Sequence, residues 1–401
     1  MKKNILILDT GKEWGGGTNS LLELLKRANK KKYCFSVLFY INYNKGNDSC
    51  IKKEIEKLGI EFLLLKQEKS PFPVKILKEI VRILCFFSKI IQKQLIFYID
   101  YQSRIKKDAK RISVILINRK IDLLYMNNQP SSNLEGILAS EMTNIPSLQH
   151  ARIETTLKPA EVKASNRTLS KIICVSERVK SNFVKNGINE SKCVVVHNGI
   201  SSETKPSVPS REIKAKWGIA DTDIVIGTVG SLIKRKRVKD LIEIMHIIAT
   251  TTDYSVKCVI TGEGPERNNL VNLAKKKKLY DKIIFTGFQI DAVSYINTMD
   301  IFVMTSAKEG LPRVILEAML MSKPVVASNI TGASELLHDG ENGMLIPLEN
   351  TEKFAGSILD LIKDPELRKT MGGNAHKSIV DNFSIEKYIH GVETVFAEIL
   401  E

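Results

Sequence analysis

The 401-residue sequence has no uncharged stretch approaching the ~20 apolar residues of a transmembrane helix. The nearest run, Ile76–Ile99, is interrupted by Lys78, Glu79, Arg82, Lys89 and Lys93. It also lacks a signal-peptide core. Lys2 and Lys3 precede only four apolar residues before Asp9, which suits an opening β-strand better. No C-x-x-C pair occurs among the six cysteines, which excludes ordinary zinc and thioredoxin-like frameworks. Most of them sit in apolar runs, as reduced core cysteines of a cytoplasmic protein do. No Pro, Ser or Gln tract marks disorder, and no Asp-x-Asp pair precedes a plausible ligand loop. No DNA or RNA motif accompanies the positive charge, so nucleic acid is not expected as a partner.

Negative charge is also scarce. Lys and Arg number 60 against 45 Asp and Glu, a formal net charge of +15. The excess is local: residues 74–120 hold 12 Lys or Arg against 3 Asp or Glu. Within that segment Ile76, Ile80, Ile83, Phe87, Ile90, Ile91 and Leu95 recur at helical spacing, with Arg82, Lys89 and Lys93 among them. Arg104, Lys106, Lys107, Lys110 and Arg111 follow. Two readings stand: a basic amphipathic helix for peripheral contact with anionic membrane, or a core helix of the first sheet with a solvated basic face.

Short β-branched runs alternate with longer amphipathic ones, the mark of an α/β chain with parallel sheets. Strands are expected at Asn4–Leu8, Phe35–Ile41, Leu123–Tyr125, Ser147–Gln149, Ile172–Val175 and Val194–Val196, with a helix at Ser20–Ala28. The polar, Pro-containing segment Ser201–Ser210 reads as a linker. The pattern then restarts, with strands at Ile224–Val229, Val256–Ile260, Ile283–Phe285, Ile301–Met304 and Pro324–Ala327. The length also favours two domains, expected at 1–203 and 204–384. Ligands of open α/β sheets bind beyond the carboxyl ends of the strands. Two units facing across a cleft would bring two ligands together, as a transfer reaction requires.

In the second unit Ile301–Met304 leads into a loop, and a helix resumes at Arg313–Met321. Free N–H groups at such a helix start suit phosphate or sugar hydroxyls. Glu309 precedes the helix and Glu317 lies about one turn inside, a pair able to grip two ends of one ligand. The plain alternative makes Glu309 a helix cap and Glu317 a solvated residue. The turn Lys234-Arg235-Lys236-Arg237 is strongly basic. In the first unit Trp14-Gly15-Gly16-Gly17-Thr18 follows the first strand, where glycines let backbone amides approach a ligand. His150 ends another strand, and Asn127, Asn128 and Gln129 end a third.

These segments, taken in order, resemble a known family. Ser306-x-x-Glu309-Gly310-Leu311-Pro312-x-Val314-x-Leu316-Glu317-Ala318-Met319, then Pro324-Val325-Val326-Ala327, resembles the donor-site signature of retaining glycosyltransferases of family 4 (group 1), whose GT-B fold pairs two Rossmann-like domains. Val194–Ile200 with its Asn198-Gly199, Ile226–Leu232 with Lys236, Thr261-Gly262-Glu263-Gly264-Pro265, Phe285-Thr286-Gly287-Phe288, Thr331-Gly332-Ala333-x-Glu335 and Asp339-Gly340-x-Asn342-Gly343 also fit. The likeness is dense over 170–375 and loose before it.

The resemblance implies roles. Glu309 would contact donor-sugar hydroxyls, and the backbone of Gly310, Leu311, Pro312 and Val314 the sugar and diphosphate. Glu317 would accept both ribose hydroxyls. Gly262 and Phe288 lie in donor-side turns, Gly16 and Gly17 near the donor phosphate, and His150 beside the sugar. Lys236 falls at the family's phosphate-binding lysine. The family's usual Arg is replaced by Ser231, and its usual Gly after the lysine by Arg237, so Arg235 or Arg237 would supply the missing charge. The family needs neither metal nor cofactor and retains anomeric configuration by front-face attack, so no general base is assigned. The helix Ile385–Leu400 would pack 385–401 back on the first domain. The implied activity is hexosyl transfer from a nucleotide-sugar, a UDP-sugar above all, to a glycan or lipid-linked acceptor of a cell-surface polysaccharide. The rivals are a nucleotide-sugar epimerase on the same fold and a non-catalytic binding protein with a decayed donor site.

Overall fold

The computed structural model describes residues 2–12, 14–43 and 50–401. Seven strands form the first sheet: β1 Lys3–Asp9, β2 Tyr33–Phe39, β3 Glu61–Leu64, β4 Leu123–Asn127, β5 Ser147–Ala151, β6 Lys171–Cys174 and β7 Cys193–Val195. All neighbours are parallel, in the order β3-β2-β1-β4-β5-β6-β7. Six more form the second: β8 Ile224–Val229, β9 Val256–Thr261, β10 Ile283–Gly287, β11 Ile301–Met304, β12 Val325–Ser328 and β13 Met344–Ile346. These too are all parallel, in the order β10-β9-β8-β11-β12-β13.

The central strands are apolar on both faces because helices cover both. Ile5, Leu6, Ile7 and Leu8 are all fully buried, with no in–out alternation. The helix Gly16–Arg27 packs Leu21, Leu24 and Leu25 into the first core. The second core joins Ile226, Leu241, Met245, Cys258, Ile301, Val326 and Ile358. All six cysteines are free thiols.

The chain divides into two compact units, Met1–Val195 with Val392–Glu401, and Val196–Gly391. Residues 196–210 therefore run with the second unit. The helix Ile385–Leu400 contributes its last turns to the first, where Phe396 packs edge-on against Tyr33 and Tyr125. Each sheet reverses its strand order once, between β1 and β4 and between β8 and β11. These are the switch points at which such sheets bind ligands.

The basic segment resolves into distinct parts. The helix Lys106–Asn118 buries Ala109, Ile112 and Leu116 and is a core helix of the first unit. Neither the helix Phe72–Leu84 nor the helix Lys89–Asp100 has a buried residue. A π-helical turn, Tyr101–Ile105, joins the latter to the core helix.

Candidate functional site

In the second unit the turn after β8 is strapped to the loop after β11. Thr305 Oγ1 donates toward the carbonyls of Lys236 at 3.2 Å and Arg237 at 3.0 Å. Ala307 N donates to the Arg235 carbonyl at 2.9 Å. β8 and β11 are neighbours in the sheet, so their carboxyl ends lie side by side. The result is a charge cluster. Lys236 Nζ lies 2.7 Å and Arg235 Nη1 2.9 Å from the same oxygen of Glu309. Glu309 is 8% exposed. Burial raises its carboxyl, but the attraction of Lys236 and then Arg235 outweighs this and holds it below the usual value.

Arg237 stands apart from this cluster. Its backbone is left-handed at φ +50°, and its guanidinium pairs with Asp240 at 2.6 Å and with Glu349. Of the two candidates for the missing cation, only Arg235 reaches Glu309. Ser231, half-buried, brings no charge. Buried Ser306 keeps its hydroxyl without a hydrogen-bond partner among the described residues. It lines a cavity of about 10 Å³ with Gly230, Lys236 and Thr305.

The helix Arg313–Leu320 starts at Pro312, which offers no side-chain cap, so Glu309 is not the cap. The loop before it is held from two sides. Asn198 Nδ2 donates to the Leu311 carbonyl at 3.2 Å, and Arg313 Nη1 to the Gly199 carbonyl at 3.4 Å. A Cβ on Gly332 would overlap the Gly310 carbonyl. Glu317 is 7% exposed, not solvated, and pairs with Arg313 Nε at 3.0 Å. Burial raises its carboxyl above the usual value, and Arg313 only partly offsets this. Val314 is half-buried on the first turn. Gly262, at φ +141°, packs against Gly230 so closely that a Cβ would overlap its carbonyl. Half-buried Phe288 follows β10.

The first unit carries a second polar group at its switch point. Asp9 ends β1 and is 5% exposed. It accepts from Gly11 N at 2.9 Å and Asn127 Nδ2 at 2.6 Å. Arg152 grips Asn127 Oδ1 through Nε at 2.9 Å and Nη2 at 2.7 Å. Burial raises the Asp9 carboxyl, against the Gly11 and Asn127 hydrogen bonds. The helix N-terminus at Gly16 and Gly17 is adjacent, since a Cβ on Gly17 would meet the Arg152 stem at 3.7 Å. His150, expected beside a ligand, is fully buried in β5 with Nδ1 2.5 Å from the Tyr125 hydroxyl. Burial and Arg152 hold its pKa well below the usual histidine value, so the imidazole is neutral.

The sequence reading missed Asp9, the Arg313 partner of Glu317 and the bracing by Asn198 and Gly199. Each left a sequence signal: Asp9 is a carboxylate ending an apolar strand ahead of a glycine-rich loop, Arg313 stands four residues before Glu317 on one helix face, and Asn198-Gly199 is part of a matching motif.

Lysine and arginine beside an uncapped helix start can hold a multiply charged anion. Residues 209–378 match the family model for glycosyl transferases group 1. The chain is 24% identical to N-acetyl-alpha-D-glucosaminyl L-malate synthase of Bacillus anthracis, over 73% of this chain and 78% of that protein. It is 26% identical to the capsular polysaccharide biosynthesis glycosyltransferase CapM of Staphylococcus aureus, over 72% and 80%. The crystal structure of Anabaena Alr3699/HepE in complex with UDP and glucose shares the fold, with a TM-score of 0.78 at 22% identity over 99% of this chain and 100% of that one. The chain is a glycosyltransferase with two parallel-sheet α/β domains.

Proposed function

We propose that the second unit binds a nucleotide-sugar, a UDP-sugar above all, and that the enzyme transfers its hexosyl unit with retention, as family 4 enzymes do. The observation that carries this reading is the meeting of Lys236 and Arg235 on Glu309 beside the helix start at Pro312–Val314. The departing diphosphate gains about one negative charge, and preorganised cations stabilise it. Lys236 and Arg235 take that role without a metal ion, and activity should survive EDTA. Glu309 orients both cations and accepts from the donor sugar, and Glu317 accepts from the ribose. His150 is a neutral positioning group of the first unit, acting through its Tyr125 contact. Gly16 and Gly17 offer free backbone N–H groups to an anion at the first unit's own switch point.

The acceptor is a growing surface glycan, free or lipid-linked. The enzyme works at the cytoplasmic face of the membrane, contacting anionic lipid through the basic segment 74–120. The HepE complex with UDP and glucose and the capsular role of CapM support the donor and the pathway class. The test is thermal stabilisation by UDP-, GDP- and ADP-sugars, followed by turnover with the responding donor. No response to any nucleotide would refute the donor site.

A further inference from the structure

Twelve of the 22 exposed large apolar side chains among the described residues fall between Phe72 and Tyr98. Ten belong to the two helices Phe72–Leu84 and Lys89–Asp100, which form a hairpin, and Phe86 and Phe87 to the turn between them. Phe86 in the turn is the most exposed at 81%, with Ile90 at 73%, Ile83 at 70% and Phe87 at 68% around it; at the far end Phe72 is also exposed, at 74%. The base is tied down instead. Lys78 pairs with Asp100, Lys158 lies over the Phe97 ring at 4.4 Å, and Arg104 pairs with buried Glu135 at 2.6 Å. Exposed apolar patches of this kind mark interaction sites on soluble proteins.

The charges select the partner. The hairpin carries Lys75, Lys78, Arg82, Lys89 and Lys93 against Glu79 and Asp100. Lys75, Lys89 and Lys93 make no ion pair among the described residues. Two copies meeting through this face would set like charges together, whereas an anionic lipid surface complements them. The helices have 13 and 12 residues, too short to span a bilayer. At 1.5 Å per residue the hairpin projects about 20 Å, enough to sink its turn into the headgroup and acyl boundary. Of the cations in the following stretch, Arg111 is committed to Asp108 at 3.0 Å and Arg119 to Glu61.

We infer that this hairpin inserts its turn, Leu84 to Ile90, into an anionic membrane, with Lys75, Lys89 and Lys93 at the headgroups. The inference deepens the membrane contact proposed above. It replaces a salt-labile surface attraction along 74–120 with anchoring by apolar insertion at 72–98.

The experiment is co-sedimentation of the full chain with vesicles of phosphatidylglycerol and phosphatidylcholine, or of phosphatidylcholine alone, at 0.1 and 1 M NaCl. Wild type should bind the anionic vesicles and retain most of that binding at 1 M NaCl. F86S/F87S should lose about 30-fold in vesicle affinity, since two inserted phenyl groups are withdrawn. Its melting temperature and its stabilisation by UDP should not change, which separates failure here from failure of the donor site. Binding abolished by 1 M NaCl and indifferent to F86S/F87S would leave only surface attraction and overturn insertion. So would a dimer, seen by sedimentation velocity without vesicles, that F86S/F87S dissociates.

Discussion

Lys236→Ala tests the charge cluster most directly. Lys236 shares one Glu309 oxygen with Arg235, at 2.7 and 2.9 Å, and all three side chains are largely shielded. Removing one partner of a buried pair costs about 3–5 kcal/mol when the other charge is left alone. Here Arg235 still holds the carboxylate, so the loss falls to that of one charged hydrogen bond, about 1.5–3 kcal/mol. The protein should stay folded with a lower melting temperature. The effect on catalysis should be larger. A cation about 4 Å from the developing charge contributes up to ~4 kcal/mol at an effective dielectric constant of 20. Loss of one such stabilising group lowers kcat about 10²–10³-fold. Most of the loss should fall in kcat, because the charge grows in the transition state. Steady-state kinetics with the responding nucleotide-sugar measures it. Lys234, exposed in the same turn, is the control, and Lys234→Ala should change turnover less than about two-fold. Turnover by Lys236→Ala within about three-fold of wild type would refute the role given to this cluster.

Arg237→Gly separates the two arginines. Relief of the left-handed strain at φ +50° and loss of the Asp240 and Glu349 pairs oppose each other, so stability should move by less than about 1 kcal/mol, with turnover unchanged. A drop of ten-fold or more in kcat would give the phosphate role back to Arg237. Glu317→Gln should weaken UDP binding about 10-fold, or 1.4 kcal/mol, by calorimetry, with kcat nearly unchanged. An unchanged dissociation constant would remove Glu317 from the ribose site. His150 gives a pH signature. Its folded pKa is depressed by burial, so the unfolded chain takes up the proton first as pH falls below about 6.5. Its contribution to stability is complete above that pH and is lost below it. The melting temperature of His150→Gln should therefore fall less between pH 6.5 and 5 than that of wild type. Parallel curves would mean that His150 is not buried neutral.

The central strands were legible because burial on both faces leaves an unbroken β-branched run with sharp ends. β8 and β11 lie where the sequence placed them. β3 and β13 left no such signal. They are edge strands of four and three residues, only partly buried, with too little apolar pattern to stand out. The helix expected from Ser20 starts at Gly16 instead. Glycine weakens a helix, but in the first turn the N–H groups have no intrahelical partner anyway, and burial of Leu21, Leu24 and Leu25 carries the rest. In the basic segment, apolar spacing ran unbroken from Ile76 to Leu95 although the chain turns at 85–88. Periodicity reports which residues share a face, not whether anything covers it. The covering differs between Lys106–Asn118 and the two helices before it.

The site was legible as residues and not as contacts. Glu309 and Lys236 stood out by motif, but their meeting follows from strand order, since only the adjacency of β8 and β11 brings the two loops together. The choice between Arg235 and Arg237 turned on one backbone angle. Arg237 is left-handed at φ +50°, and its side chain meets Asp240 rather than Glu309. That leaves Arg235, whose carbonyl is fixed by Ala307 N, as the cation the turn delivers to Glu309. It comes from the same turn as Lys236, four residues after the uncharged Ser231.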